Sequence, residues 1–200
     1  MMNGFIEEIN NIYRLRVPFD AIYTSVFLIR TEGGVFLVDT ATTDKDVDQY
    51  IIPAILEMGY APTELSAIVL THRHGDHAGG AKRIAELAPE IRIVTDVCLL
   101  TEGLLTYPLA GHTRDSIGVF DERTRTLISG DGLQGAGVDK YRCSLKDPEE
   151  YLETLRRIEK DERIENILFS HAYEPWNNDS LFGRERVLDC LNECFQYGRR

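Results

Sequence analysis

No run of apolar residues in this 200-residue chain approaches the roughly 20 positions that a membrane-crossing helix needs, so no bilayer span is expected. The segment from Met1 to Glu8 lacks a basic start followed by an apolar stretch, so no secretory signal is read there. Basic residues are in deficit, with 22 Lys and Arg against 33 Asp and Glu and a formal charge of −11. Phosphate backbones are gripped by clustered Lys and Arg, and acidic surfaces repel them over about 8 Å at physiological ionic strength, so nucleic acid is not expected as a partner. Cysteine is sparse: Cys98, Cys143, Cys190 and Cys194 form no recognisable disulfide framework, and the last two share a helix face. These absences lead to the expectation of a cytoplasmic protein, and a hydrophobic content of 43% supports one domain spanning 1–200.

Histidine is concentrated where folding alone has no use for it. His72, His74, Asp76 and His77 fall within Thr71-His-Arg-His-Gly-Asp-His-Ala78, directly after the apolar run Ala67 to Leu70. Imidazoles and carboxylates offer lone pairs to a divalent cation at about 2.0–2.2 Å, and several converging on one ion contribute many kcal/mol. The chain has five histidines, and the other two are set similarly: His112 in Leu109-Ala-Gly-His-Thr113 and His171 in Leu168-Phe-Ser-His-Ala172. Each follows an apolar segment and opens a loop.

The apolar runs Thr24 to Arg30 and Val35 to Val38 flank Thr31-Glu-Gly-Gly34, which is hairpin chemistry. After Asp39, the stripe Val47, Ile51, Ile55 and Met58 predicts a helix over 44–58 that Pro53 should kink. Ala67 to Leu70 reads as a strand, and Ala81 to Leu87 as a helix stopped by Pro89. Short strands are predicted at 91–95 and 106–109, with a weak helical piece over 96–101 between them. Ser116 to Phe120 and Arg125 to Ser129 form a second hairpin that delivers Gly130-Asp131-Gly132 into a glycine-rich loop, read as flexible to Gly137. A helix from Asp147-Pro148 to about Lys160, a strand at 164–169 and a helix over about 179–197 complete the chain. The apolar residues Leu181, Val187, Leu188, Leu191 and Phe195 would serve the core or a homodimer. Taken alone, Asp131 reads as a turn aspartate, and Asp39 equally as a helix or turn cap.

Asp39, the HxHxDH run at 72–77, Gly-His at 111–112, Gly-Asp at 130–131 and Ser-His at 170–171 stand in the order that marks the metallo-β-lactamase superfamily, which the chain resembles over nearly its whole length. The resemblance implies an α/β architecture, the αββα sandwich of two mixed sheets flanked by helices. It also implies two divalent metal ions, with zinc expected and iron or manganese as alternatives. His72, His74 and His112 resemble the ligands of the first metal, Asp76, His77 and His171 those of the second, and Asp131 the carboxylate bridging both. Asp39 resembles the acid that supports the site from behind. Asp76 would also act catalytically, orienting the nucleophile or passing its proton on.

The implied chemistry is hydrolysis of a small ester, thioester or lactone by a hydroxide held between the metals. A mononuclear iron oxidoreductase similar to the persulfide dioxygenases, or a β-lactamase-like amide hydrolase, is the alternative. Members with an aspartate at the bridging position differ from the subclasses that use cysteine there, and the best resemblance is to glyoxalase II and the lactonases. His112 follows His77 by only 35 positions, shorter than in those relatives, which implies a more open pocket. One predicted helix follows His171 where glyoxalase II has a helical domain, and the last motif reads Phe-Ser-His-Ala-Tyr rather than Pro-Gly-His-Gly. Glutathione recognition is therefore not carried over. Tyr141 and Tyr173, with Lys140 and Arg142, are the candidate substrate contacts.

Overall fold

The computed structural model describes residues 4–141, 143–172 and 176–200, without the side chains of residues 139–141. It divides into two compact units, Met1–Thr95 and Asp96–Arg200.

The first unit is a six-stranded mixed sheet in sequential order: β1 Ile6–Ile9, β2 Ile12–Phe19, β3 Ile22–Thr31, β4 Gly34–Val38, β5 Leu65–Val69 and β6 Arg92–Val94. The first four strands pair antiparallel, whereas β4, β5 and β6 run parallel. Leu15, Val26, Leu28, Leu37 and Ile68 on one face pack with Val47, Ile51, Ile55 and Ile84 from the intervening helices. Phe27, Phe36, Val38 and Val69, on the opposite face, are buried as well. Burial of both faces explains why these strands read as continuous apolar runs rather than alternating ones.

The predicted kink at Pro53 takes a definite form. Helix α1, Asp44–Asp46, is capped by Thr43 and passes through a wide turn, Val47–Ile51, into α2, Ile52–Glu57. Because Pro53 has no N–H to donate, the preceding turn relaxes to the wider spacing in which Ile52 N–H reaches the Val47 carbonyl. Strands β1 and β2 were not among the elements expected from the sequence. Tyr13, Leu15 and Val17 alternate with Arg14 and Arg16 along β2, yet Arg14 is fully buried, donating to Glu8 at 2.8 Å and Ser25 at 2.7 Å with its guanidinium over the Phe27 ring. The histidine loop also contains a single helical turn, α3, Gly75–Ala78, which leads into α4, Ala81–Leu87.

The second unit carries β7 Leu99–Thr101, β8 Leu104–Pro108, β9 Ile117–Asp121, β10 Thr126–Ile128, β11 Asn166–Leu168 and β12 Ser180–Phe182, in the spatial order β12-β11-β10-β9-β8-β7. Only β10 and β11 pair in parallel. The helical piece expected over 96–101 is instead the edge strand β7, joined to β8 through Gly103 at φ +73°. The last helix likewise starts later than expected, because β12 occupies 180–182 and Gly183, at φ +96°, separates it from α6, Arg184–Gly198. Helix α5, Pro148–Lys160, matches the sequence reading, with Asp147 capping it by accepting from Glu150 N–H. The Arg184 guanidinium closes its other end by donating to the carbonyls of Ile158 and Glu159. Val187, Cys190, Leu191 and Cys194 of α6 are buried in the core, whereas Leu188 remains partly exposed.

Gly79, at the end of α3, lies so close to the Thr42 carbonyl that a Cβ there would overlap backbone, whereas a Cβ on Gly75 would meet nothing. Gly79→Ala should therefore lower unfolding free energy in urea by about 1–3 kcal/mol, and Gly75→Ala by less than about 0.5 kcal/mol.

Candidate metal centre

Strand direction decides where the candidate ligands emerge. In the first unit β4 and β5 are parallel, so Asp39 and the run from His72 to His77 leave the sheet from one edge. In the second, β8 is antiparallel to β9 and β9 to β10, while β10 is parallel to β11. Strands β8, β10 and β11 therefore point the same way, and His112, Asp131 and His171 follow their C-terminal ends. Loops anchored on such ends are held by the ladder behind them while their side chains stay available for chemistry.

In the first unit, Asp39 is fully buried at φ +63°, a left-handed conformation that aspartate tolerates better than most residues. Its carboxylate accepts from Thr71 N–H at 2.8 Å, from the Thr71 hydroxyl at 2.9 Å and from His77 Nδ1 at 2.7 Å. With Nδ1–H committed to Asp39, the Nε2 lone pair of His77 lies 3.5 Å from Asp76 Oδ2. The His77 carbonyl is held in turn by Thr40 N–H at 2.7 Å and the Thr40 hydroxyl at 2.9 Å, which ties α3 to the end of β4. The Thr71 hydroxyl also lies 3.2 Å from His72 Nδ1, and His72 Nε2 lies 3.0 Å from His74 Nδ1. His72 and His77 are buried, His74 is exposed, and Asp76 is intermediate. Asp39 is thus not the helix or turn cap that its position allowed; Thr43 caps α1.

In the second unit, Asp131 is buried and divides its oxygens: Oδ2 lies 3.8 Å from His112 Nε2, and Oδ1 lies 3.4 Å from His171 Nε2. This geometry replaces the reading of Asp131 as a simple turn aspartate. The far nitrogen of His112, Nδ1, is 3.2 Å from the Ser144 carbonyl and 2.7 Å from the Gln134 side-chain amide. The loop after Asp131 was expected to be flexible, but Leu133 and Gln134 are both buried.

These donors fit a divalent cation. The set is imidazole and carboxylate throughout, and Nδ1 of His77 faces the Asp39 carboxylate, which leaves its Nε2 unprotonated and able to coordinate. The Tyr141 side chain, the Lys140 side chain, Arg142 and Tyr173 lie outside the described residues. The sequence reading passed over Thr71 and Gln134. Thr71 could have been suspected as the hydroxyl directly before the first ligand, and Gln134 as the lone amide between Gly132 and Gly135.

Residues 20–97 match the sequence model of the metallo-β-lactamase superfamily. A Caenorhabditis elegans protein described as a beta-lactamase-like protein 2 homolog is 27% identical over 177 residues, which is 78% of this chain and 58% of that protein. A hydroxyacylglutathione hydrolase of Pseudomonas savastanoi pv. phaseolicola is 31% identical over 144 residues, 58% of this chain and 55% of that protein. The chain thus spans little more than half the length of these curated relatives. The metallo-β-lactamase FIM-1 from Pseudomonas aeruginosa, solved in its mono-zinc form, superposes with a TM-score of 0.74 at 17% identity, covering 98% of this chain and 96% of that one. The chain belongs to the metallo-β-lactamase superfamily and has its αββα fold, as the order of its motifs led us to expect.

Asp39→Asn keeps a side chain suited to the left-handed backbone but puts an NH2 where one of three donors now finds an oxygen. Zinc affinity, read by competition with a chromophoric chelator, should fall about 10–100-fold; unchanged affinity would detach Asp39 from the centre.

Proposed function

We propose that this protein is a hydrolase of small esters, thioesters or lactones that works with two divalent cations, zinc in the first instance. In this reading His72, His74 and His112 hold one cation, Asp76, His77 and His171 hold the other, and Asp131 spans both. The 200 residues then act as one catalytic domain. The observation that carries the pair of cations is the Asp131 carboxylate, with one oxygen toward His112 at 3.8 Å and the other toward His171 at 3.4 Å. That division lets each oxygen serve a different cation, one beside each imidazole.

Two cations, when bound, bring the pKa of a shared water toward neutrality and polarise a substrate carbonyl. The chain supplies orientation and proton handling. Asp39 and Thr71 fix the His77 ring, so its Nε2 keeps one direction. Asp76 has one oxygen near His77, and its side chain is 17% exposed, open to an approaching substrate. From there its carboxylate orients the attacking water and hands the proton to the departing oxygen or sulfur.

The hydroxyacylglutathione hydrolases among the relatives support a hydrolytic reading, although the aligned region covers only about half of them. Among the described residues no helix is long and apolar enough to cross a membrane.

Metal analysis of protein purified without added metal, paired with a panel of thioesters, lactones, phosphoesters and β-lactams, tests the proposal. Close to two zinc equivalents is expected, with turnover confined to the small ester, thioester or lactone class. Loss of a partner behind a metal ligand already costs about 10–100-fold, so His74→Ala should lose more than about 100-fold in that activity. One iron with oxygen uptake on a persulfide, or turnover of β-lactams alone, would replace this reading with the oxidoreductase or the amide hydrolase. Undiminished activity in His74→Ala would remove that residue from the centre.

A further inference from the structure

Three elements of the second unit converge behind His112. Gln134 is fully buried, and both of its main-chain groups engage Tyr151: its N–H donates to the Tyr151 hydroxyl at 2.8 Å, and its carbonyl accepts from the same hydroxyl at 2.7 Å. Burial, reinforced by the neighbouring Cys194, holds the Tyr151 phenol well above its ordinary pKa, so it stays protonated and keeps donating. Gly111, at φ +140°, sits directly against Tyr151, where a Cβ would come within 2.6 Å of its Cα. The same tyrosine therefore registers the backbone before His112 and the backbone of Gln134. As a result, the Gln134 side-chain amide stands against His112, with the atom placed as Nε2 at 2.7 Å from His112 Nδ1.

The proton on that nitrogen can be assigned from its second neighbour. A main-chain carbonyl only accepts, and the Ser144 carbonyl lies 3.2 Å from His112 Nδ1, so Nδ1 carries the hydrogen. The Gln134 atom facing it must then accept as well. The two ends of a primary amide have nearly the same shape, and either orientation leaves one end without a partner; with nitrogen toward the ring, Oε1 is buried and unbonded. The ring proton thus selects the orientation with Oε1 toward His112.

We infer that Gln134 is a positioning residue whose side-chain oxygen, together with the Ser144 carbonyl, fixes His112 as the Nδ1–H tautomer and aims Nε2 at the first cation. The inference rests on the two-cation reading above. It also makes the two halves of the centre chemically unequal. His77 is backed by a carboxylate, Asp39, whereas His112 is backed by a neutral amide, which raises ligand basicity less. The His112 side is then the weaker-holding one.

The test compares full-length wild type, Q134M and Q134E by zinc titration against a chelator, with nitrogen-detected NMR of the imidazoles in zinc-free protein. Wild type should show His112 protonated at Nδ1. Q134M should lose that tautomer preference and bind the weaker zinc equivalent about 10–100-fold less tightly, with the tighter equivalent unchanged. Q134E, which restores an acceptor, should recover at least wild-type affinity, a rescue that a purely packing role would not produce. Wild-type affinity and unaltered His112 signals in Q134M would overturn the inference, as would a Q134E that binds the weaker equivalent less tightly than wild type. If wild type itself bound no zinc, the two-cation reading would fall, while the tautomer measurement would still decide the role of Gln134.

Discussion

The buried carboxylate of Asp39 is the interaction on which the first unit's candidate ligands depend. An ionised carboxylate removed from water is costly unless it is fully hydrogen-bonded, and this one accepts three donors, from Thr71 N, Thr71 Oγ1 and His77 Nδ1. Those bonds lock the end of β4 to the end of β5 and to the single turn α3. They also sustain backbone that would otherwise relax, because both Asp39 and Ala41 have positive φ. Conformational strain and a buried charge are thereby concentrated within a few residues of His72 and His77, where ring orientation matters most.

The second unit reaches a similar end differently. Asp131 and His171 follow strands paired in parallel, so the β10–β11 register fixes their separation. His112 comes from β8, with β9 intervening, and its loop gains definition from Tyr151 and Gln134 instead. One unit uses a charged acceptor behind its histidine and the other a neutral one, which agrees with the membership of a superfamily that keeps the rim and varies the chemistry upon it.

Much of this was legible in the sequence because metal ligands are concentrated chemistry. Five histidines all standing at the ends of apolar runs have few explanations, and β3, β4 and β5 announce themselves as apolar runs, the first two set off by glycine or aspartate. Helix α5 is equally plain, with Asp147, Pro148 and the stripe Tyr151, Leu155 and Ile158. Strand β2 is written in the alternation of Tyr13, Leu15 and Val17 with Arg14 and Arg16 and was passed over, whereas the burial of Arg14 was not legible because it depends on Glu8, Ser25 and Phe27 lying nearby in space. Strands β7 and β12 are three-residue edges whose pairing is a tertiary fact rather than a local preference. Gln134 was invisible for the same reason: its glycine-flanked setting suggests freedom, and only the hydroxyl of Tyr151, 17 residues away, removes it.

The wide turn Val47–Ile51, forced on its helix by Pro53, has a consequence for how this family can diverge. Such a turn amounts to one extra residue absorbed within a helix, and it rotates everything before it relative to everything after. Val47 and Ile51 still reach the core from within it. The phase of the apolar stripe can therefore slip at this point without unmaking the layer beneath. Insertions and deletions in descendants of this sequence should accumulate there, leaving untouched the strand ends that carry the imidazoles.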